Sequence, residues 1–148
     1  MEKFTRPRPE LPKKAVVTSG MPYGNKELHF AHVGLVLRAD TFAQFLRDRI
    51  GEDNVVFVSG TDCYGSPAME YHRALLSKGA IQDKTVEEFV ARNHKSHVDT
   101  FNAFGARFNF FGASALGRAG EIHKETSAWF INKLNENEAN LVFLFIYF

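Results

Sequence analysis

Ala15-Val16-Val17-Thr18-Ser19-Gly20-Met21-Pro22-Tyr23-Gly24-Asn25-Lys26-Glu27-Leu28-His29-Phe30-Ala31-His32-Val33 passes from strand chemistry through a loop into a helix. Ala15 to Ser19 is short, partly β-branched and followed by Gly20, Pro22 and Gly24, the pattern of a buried strand entering a loop. From about His32 to Ile50 the apolar residues Val33, Val36, Leu37, Phe42, Phe45, Leu46 and Ile50 recur at helical spacing, and Gly51 is placed as a stop. Val55-Val56-Phe57-Val58-Ser59 is a second apolar strand, after which Gly60-Thr61-Asp62 is expected to turn the chain at once. Strand, helix, strand in this order predicts a right-handed parallel crossover.

Outward from that unit, Ala68 to Ser77 and Thr85 to Phe104 are predicted as surface helices, the second opened by a capping box of Thr85 and Glu88. Asn109 to Phe111 is a candidate short strand. Gly117 to Asn137 is a further helix with Ile122, Trp129, Phe130, Ile131 and Leu134 available for packing, Trp129 as core. The alternation predicts an open parallel α/β sheet, in which ligands bind beyond the carboxyl ends of the strands. The loops after both strands lie there.

The flanks differ from this region. Residues 1–13 mix charges with prolines and read as a disordered lead-in, without the apolar core of a secretory signal. Leu141 to Phe148 is apolar throughout, a β-prone tail that aggregates if exposed, yet far short of the roughly 20 residues a membrane span needs. The 148 residues are 45% hydrophobic, ample for one core, and 18 basic against 17 acidic residues leave a formal charge of +1 that advertises no polyanion-binding surface. One cysteine excludes an internal disulfide, and without a Cys-x-x-Cys pair no structural zinc site is expected. A cytoplasmic location is the default reading.

Two loops carry candidate chemistry. His29 and His32 flank a helix start, where unpaired N–H groups and a partial positive charge favour phosphates and where imidazole donors could stabilise charge developing at an α-phosphate. An isolated His-x-x-His pair is more ordinarily a surface feature. Asp62, at a strand end, can pair with an α-ammonium group through a charge-assisted bond, or can simply cap a backbone N–H in its own turn. Cys63 reads as a small buried side chain, and Gly65 and Pro67 as shapers of the loop. A second pair, His94 and His97, falls inside a predicted helix; a solvated helical face is favoured there over a metal site, which would need further ligands.

The histidine pair, placed after a Pro-Tyr loop and a first strand, resembles the His-x-Gly-His signature of class I aminoacyl-tRNA synthetases. The runs Met21-Pro22-Tyr23-Gly24-Asn25 and Gly60-Thr61-Asp62 resemble the methionyl type. That resemblance implies the first half of a Rossmann-like parallel sheet, with residues 14–137 as the amino-terminal part of a catalytic domain and 138–148 departing from the family. It implies activation of methionine by ATP, with magnesium, and transfer to tRNA. By the same resemblance Met21, Tyr23 and Asp62 contact methionine; Pro22, Asn25, His29, Ala31 and His32 lie along ATP; and His29 and His32 serve as catalytic groups on the phosphates. Where the family has glycine against the adenine, this chain has Ala31, whose methyl group is expected to weaken nucleotide binding.

These 148 residues contain no Lys-Met-Ser-Lys-Ser run, second half of the nucleotide fold, zinc knuckle or anticodon-binding domain. The expectation is therefore a truncated chain that is inactive alone. A non-catalytic binding module with weak methionine or nucleotide affinity is the alternative, and the two methionyl-type loops disfavour any other adenylyl-transferring enzyme.

Overall fold

Parallel strands need a long crossover because a tight turn cannot return the chain in the same direction. In the computed structural model, which describes residues 10–136, β1 (Ala15–Thr18) and β2 (Val55–Thr61) run parallel, with Ala15 opposite Val55 and Thr18 opposite Val58. The strand β3 (Phe110–Ala113) pairs in parallel with the far edge of β2, giving the order β1-β2-β3. The crossovers are α1 (Phe30–Ile50) between β1 and β2, then α2 (Ser66–Ser77) and α3 (Val86–Ala103) between β2 and β3; α4 (Gly117–Glu136) follows. This is the α/β sheet that the sequence predicts. The expected lead-in lies largely, and the apolar tail wholly, outside the described residues.

Alternation along the strands decides where the core sits. Val17 and Phe57 are buried with Val33, Val36, Ala43 and Leu46 of α1 and Phe101 of α3, and each of these side chains larger than alanine contributes about 1.5–3 kcal/mol. Val16 and Val56, on the opposite face, are 71% and 41% exposed, so among the described residues that face is open. The buried stripe of α1 also holds two charges. Asp40 accepts the Arg107 backbone N–H at 2.8 Å, and Arg47 donates to the Arg107 carbonyl at 3.1 Å and to Asn109 Oδ1 at 2.7 Å. The same Asn109 oxygen accepts the Phe57 N–H at 2.7 Å. These bonds fix the entry to β3, and Glu52, with Oε1 3.2 Å from Arg47 Nε, supplies the counter-charge to the buried guanidinium.

Three expectations need correction. First, β2 continues through Gly60 and Thr61, where a turn was expected, because Gly60 and Thr61 pair with Gly112 and Ala113 of β3. A Cβ on Gly60 would lie 2.6 Å from the Gly112 carbonyl oxygen, so this glycine serves close strand approach. Second, α3 is no surface helix: Phe89, Val90, Asn93, His97 and Phe101 are buried. Third, Trp129 is 60% exposed. Gly120 is the one buried residue of α4, seated where an added Cβ would meet the Ala115 backbone at 2.5 Å; the helix is anchored near its start and its later apolar residues stand clear of the core.

Candidate functional site

The β1–β2 pairing resumes beyond Thr18 and brings the two loops together. The Asp62 N–H donates to the Pro22 carbonyl at 2.8 Å, and the Gly24 N–H donates to the Asp62 carbonyl at 2.7 Å, so that Tyr23 and Asp62 form a parallel bridge. Gly24 permits this approach: a Cβ there would lie 2.9 Å from Val90 Cγ1 and 3.1 Å from Thr61 Cγ2. Met21 packs its terminal methyl over Gly60, 3.1 Å from where a Cβ would stand. Met21, Tyr23 and Asp62 therefore share one region at the carboxyl ends of the strands, as predicted for ligands of an open sheet.

Asp62 is half-buried, and its Oδ1 accepts the Tyr64 N–H at 3.1 Å. The turn-capping role is thus present, and it occupies one of the two carboxylate oxygens. Met21 and Tyr23 are 45% and 57% exposed, which makes them an open wall. Pro22 is buried. Cys63 is buried as expected, with its N–H donating to Ser114 Oγ at 2.9 Å. Gly65, at φ 113°, and Pro67, in the first turn of α2, shape the loop.

At the start of α1 the two histidines cap the helix for one another. His29 Nδ1 accepts the Ala31 N–H at 3.3 Å, and His32 Nδ1 accepts the His29 N–H at 3.4 Å, with ring centroids 3.8 Å apart. An Nδ1 that accepts bears no proton, so each neutral ring carries its hydrogen on Nε2. Partial burial, then His29, Lys26 and His97, hold the His32 pKa below its ordinary value. The result is a pair of neutral Nε2–H donors at a helix amino terminus. Ala31 is exposed between them. Asn25 instead lines a groove with Tyr71, Leu75 and Arg92, and its Oδ1 is buried with no partner among the described residues.

The second histidine pair is not a solvated face. His97 is fully buried and His94 partly so. Thr61 Oγ1 lies 2.9 Å from His94 Nδ1 and 3.1 Å from His97 Nδ1, and His97 Nε2 lies 2.9 Å from the Lys26 carbonyl oxygen. Asn93 Nδ2 donates to the Gly24 carbonyl at 2.8 Å. Sequence reasoning missed Thr61, Asn93 and His97 as site residues. For Asn93 and His97 the signal was the four-residue step Phe89, Asn93, His97, Phe101, which puts polar residues on an apolar helical stripe. A concavity of about 810 Å³ lies away from all of these, between Leu11, Val16, Phe42 and Phe45.

A family model described as tRNA synthetases class I (M) matches residues 15–141. The methionine–tRNA ligase of Salinibacter ruber is 32% identical over 130 residues, which cover 87% of this chain and 16% of that protein. That of Chlamydia caviae is 36% identical over 102 residues, 68% of this chain and 17% of the relative. That of Thermoplasma volcanium is 30% identical over 124 residues, 83% of this chain and 21% of the relative. The chain thus spans about a sixth to a fifth of the length of these relatives. A parallel sheet with paired loops at its carboxyl end, together with matches over most of its length, makes this chain a member of the methionyl family of class I aminoacyl-tRNA synthetases.

Proposed function

We propose that this chain forms the methionine-binding and phosphate-binding half-site of a methionine–tRNA ligase, which joins methionine to ATP and passes it to tRNA. The observation that carries this reading is the Tyr23–Asp62 bridge, because it sets a half-buried carboxylate beside Met21 and Tyr23. Asp62 Oδ2 receives the α-ammonium group of methionine while Oδ1 keeps its turn. Tyr23 and Met21 flank the thioether, a contact worth about 0.3–1.5 kcal/mol against an aromatic ring. The Nε2–H groups of His29 and His32 donate to phosphate oxygens of ATP, and Pro22, Asn25 and Ala31 belong to the same nucleotide-facing stretch.

In this reaction the methionine carboxylate attacks the α-phosphorus. A carboxyl oxygen–phosphorus bond forms, the bond from that phosphorus to the bridging oxygen breaks, and pyrophosphate leaves with the electron pair. No side-chain base is needed because the nucleophile is already ionised; the work is placement and stabilisation of charge on the phosphates. Magnesium accompanies ATP in the family. Among the described residues no three His, Cys, Asp or Glu side chains converge as a metal-holding group.

The exposure of Met21 and Tyr23 favours a second reading beside the first, in which the 148 residues by themselves are a weak binding module. Clear methionine-dependent exchange of pyrophosphate into ATP by this chain would overturn the module reading; none is expected. Methionine titration of Asp62→Asn tests the site itself. Asparagine keeps the cap on the Tyr64 N–H but loses the charge, so affinity is expected to fall about tenfold or more with the fold intact. An unchanged affinity would remove Asp62 from the site.

A further inference from the structure

Thr61, His94 and His97 impose a direction on their hydrogen bonds. The Lys26 carbonyl only accepts, so His97 bears a proton on Nε2, and burial lowers its pKa and keeps the ring neutral. His97 Nδ1 is then a bare acceptor, and the Thr61 hydroxyl must donate to it. A hydroxyl has one proton. Its oxygen is left to accept, and His94, also lowered by burial and by His97, must supply the proton from its own Nδ1. The chain runs one way: His94 Nδ1–H to Thr61, Thr61 to His97, His97 Nε2–H to the Lys26 carbonyl.

This chain of bonds ties the end of β2 and helix α3 to the loop that follows β1. Thr61 immediately precedes Asp62. Lys26 stands between Tyr23 and the helix cap His29, and Asn93, one turn before His97 on α3, holds the Gly24 carbonyl. We propose that His97 is a positioning residue: through Thr61 and Lys26 it fixes the Asp62 loop against the Met21–His29 loop, so that the ammonium site and the phosphate donors are held in one geometry. His97 touches no ligand in this scheme. The inference rests on the half-site reading for its function, but not for its hydrogen bonds.

Nitrogen-15 NMR of the histidine rings in the full chain tests the chain of bonds. His97 is expected as the Nε2–H tautomer and His94 as the Nδ1–H tautomer, and Thr61→Val is expected to return His94 to Nε2–H. The same tautomer on both rings, or no response to Thr61→Val, would overturn the proposal. Amide hydrogen exchange tests the positioning. In His97→Phe, exchange at the Gly24 and Asp62 N–H groups should speed up about tenfold, on the scale of one lost hydrogen bond, while Phe57 in the sheet is unaffected. His97→Gln, which keeps a donor toward Lys26, should restore most of the protection. Uniformly faster exchange, or no change at the two loops, would reduce His97 to general packing. If His97→Phe fails to fold, His97→Gln and Thr61→Val still decide. Methionine titration of the same samples separates the two readings. Absence of any methionine-induced shift at Tyr23 and Asp62 in the unsubstituted chain would count against the half-site, and the tautomers and exchange rates would still decide the positional claim.

Discussion

The chain contains two His-x-x-His pairs with opposite environments. His29 and His32 begin a helix at the surface and cap one another through Nδ1, which leaves the ring hydrogens on Nε2. His94 and His97 lie mid-helix, partly and fully buried, and spend their nitrogens on Thr61 and the Lys26 carbonyl. Spacing alone says nothing about which duty a pair performs. What separates them is the neighbouring pattern: a loop and a helix cap in one case, the apolar positions Phe89, Val90 and Phe101 in the other. In the proposed half-site the first pair would meet the phosphates, and in the proposed positioning scheme the second would hold the two loops together.

Substitution should expose this difference most strongly in stability. His97→Ala leaves the Lys26 carbonyl without its donor and the Thr61 hydroxyl with His94 alone, and opens a cavity, so urea unfolding followed by circular dichroism should show a loss of about 3 kcal/mol. His29→Ala removes only a helix cap at an exposed end and should cost about 1 kcal/mol or less. Equal losses would erase the distinction between the pairs.

A smaller effect is expected at the exposed pair, in ligand affinity. Ala31 presents its methyl group between His29 and His32. Ala31→Gly should tighten ATP binding by about tenfold, the equivalent of about 1.4 kcal/mol, at a minor cost to the first turn of α1. Calorimetric titration with ATP checks it. An unaltered affinity would mean that the methyl group does not meet the nucleotide.

The smallest effect is in the pH dependence of folding, and its sign follows from the buried pair. Burial lowers the folded-state pKa of His97 and of His94 below the ordinary 6.5. Between the lowered values and 6.5 the unfolded chain binds more protons than the folded one, so stability rises with pH across that window. It is full above about 7 and is lost as pH falls through 6.5 toward the folded values. The titratable groups that face His97 are His94 on its own helix and His32 on α1, whose pKa is lowered too, so all three act in the same direction. Thermal melts at pH 7.5 and 5.5 should show this loss, and His97→Gln should reduce it. A melt that rises on acidification would contradict the sign.

Much of this architecture was legible in the sequence, for reasons that also explain the gaps. The strands at Ala15 and Val55, the helix ending at Gly51 and the Thr85–Glu88 cap follow from local periodicity and capping, which act over a few residues. The extension of β2 through Gly60 was not legible because it depends on Gly112, a strand partner distant along the chain. The burial of α3 depends likewise on its packing against Phe57, Phe108 and Phe111, through Phe101. At the site, the two loops could be named from their motifs. Their bridge at Tyr23 and Asp62, and the histidine–threonine chain behind it, exist only once β1, β2 and α3 have assembled.

The central claim is that the two loops form one site for methionine and ATP. Amide chemical-shift mapping of the chain with L-methionine and with ATP tests it most directly. Methionine is predicted to shift Met21, Tyr23 and Asp62, and ATP to shift His29, Ala31 and His32. Shifts confined to Val16, Phe42 and Phe45 around the concavity between β1 and α1 would contradict the account.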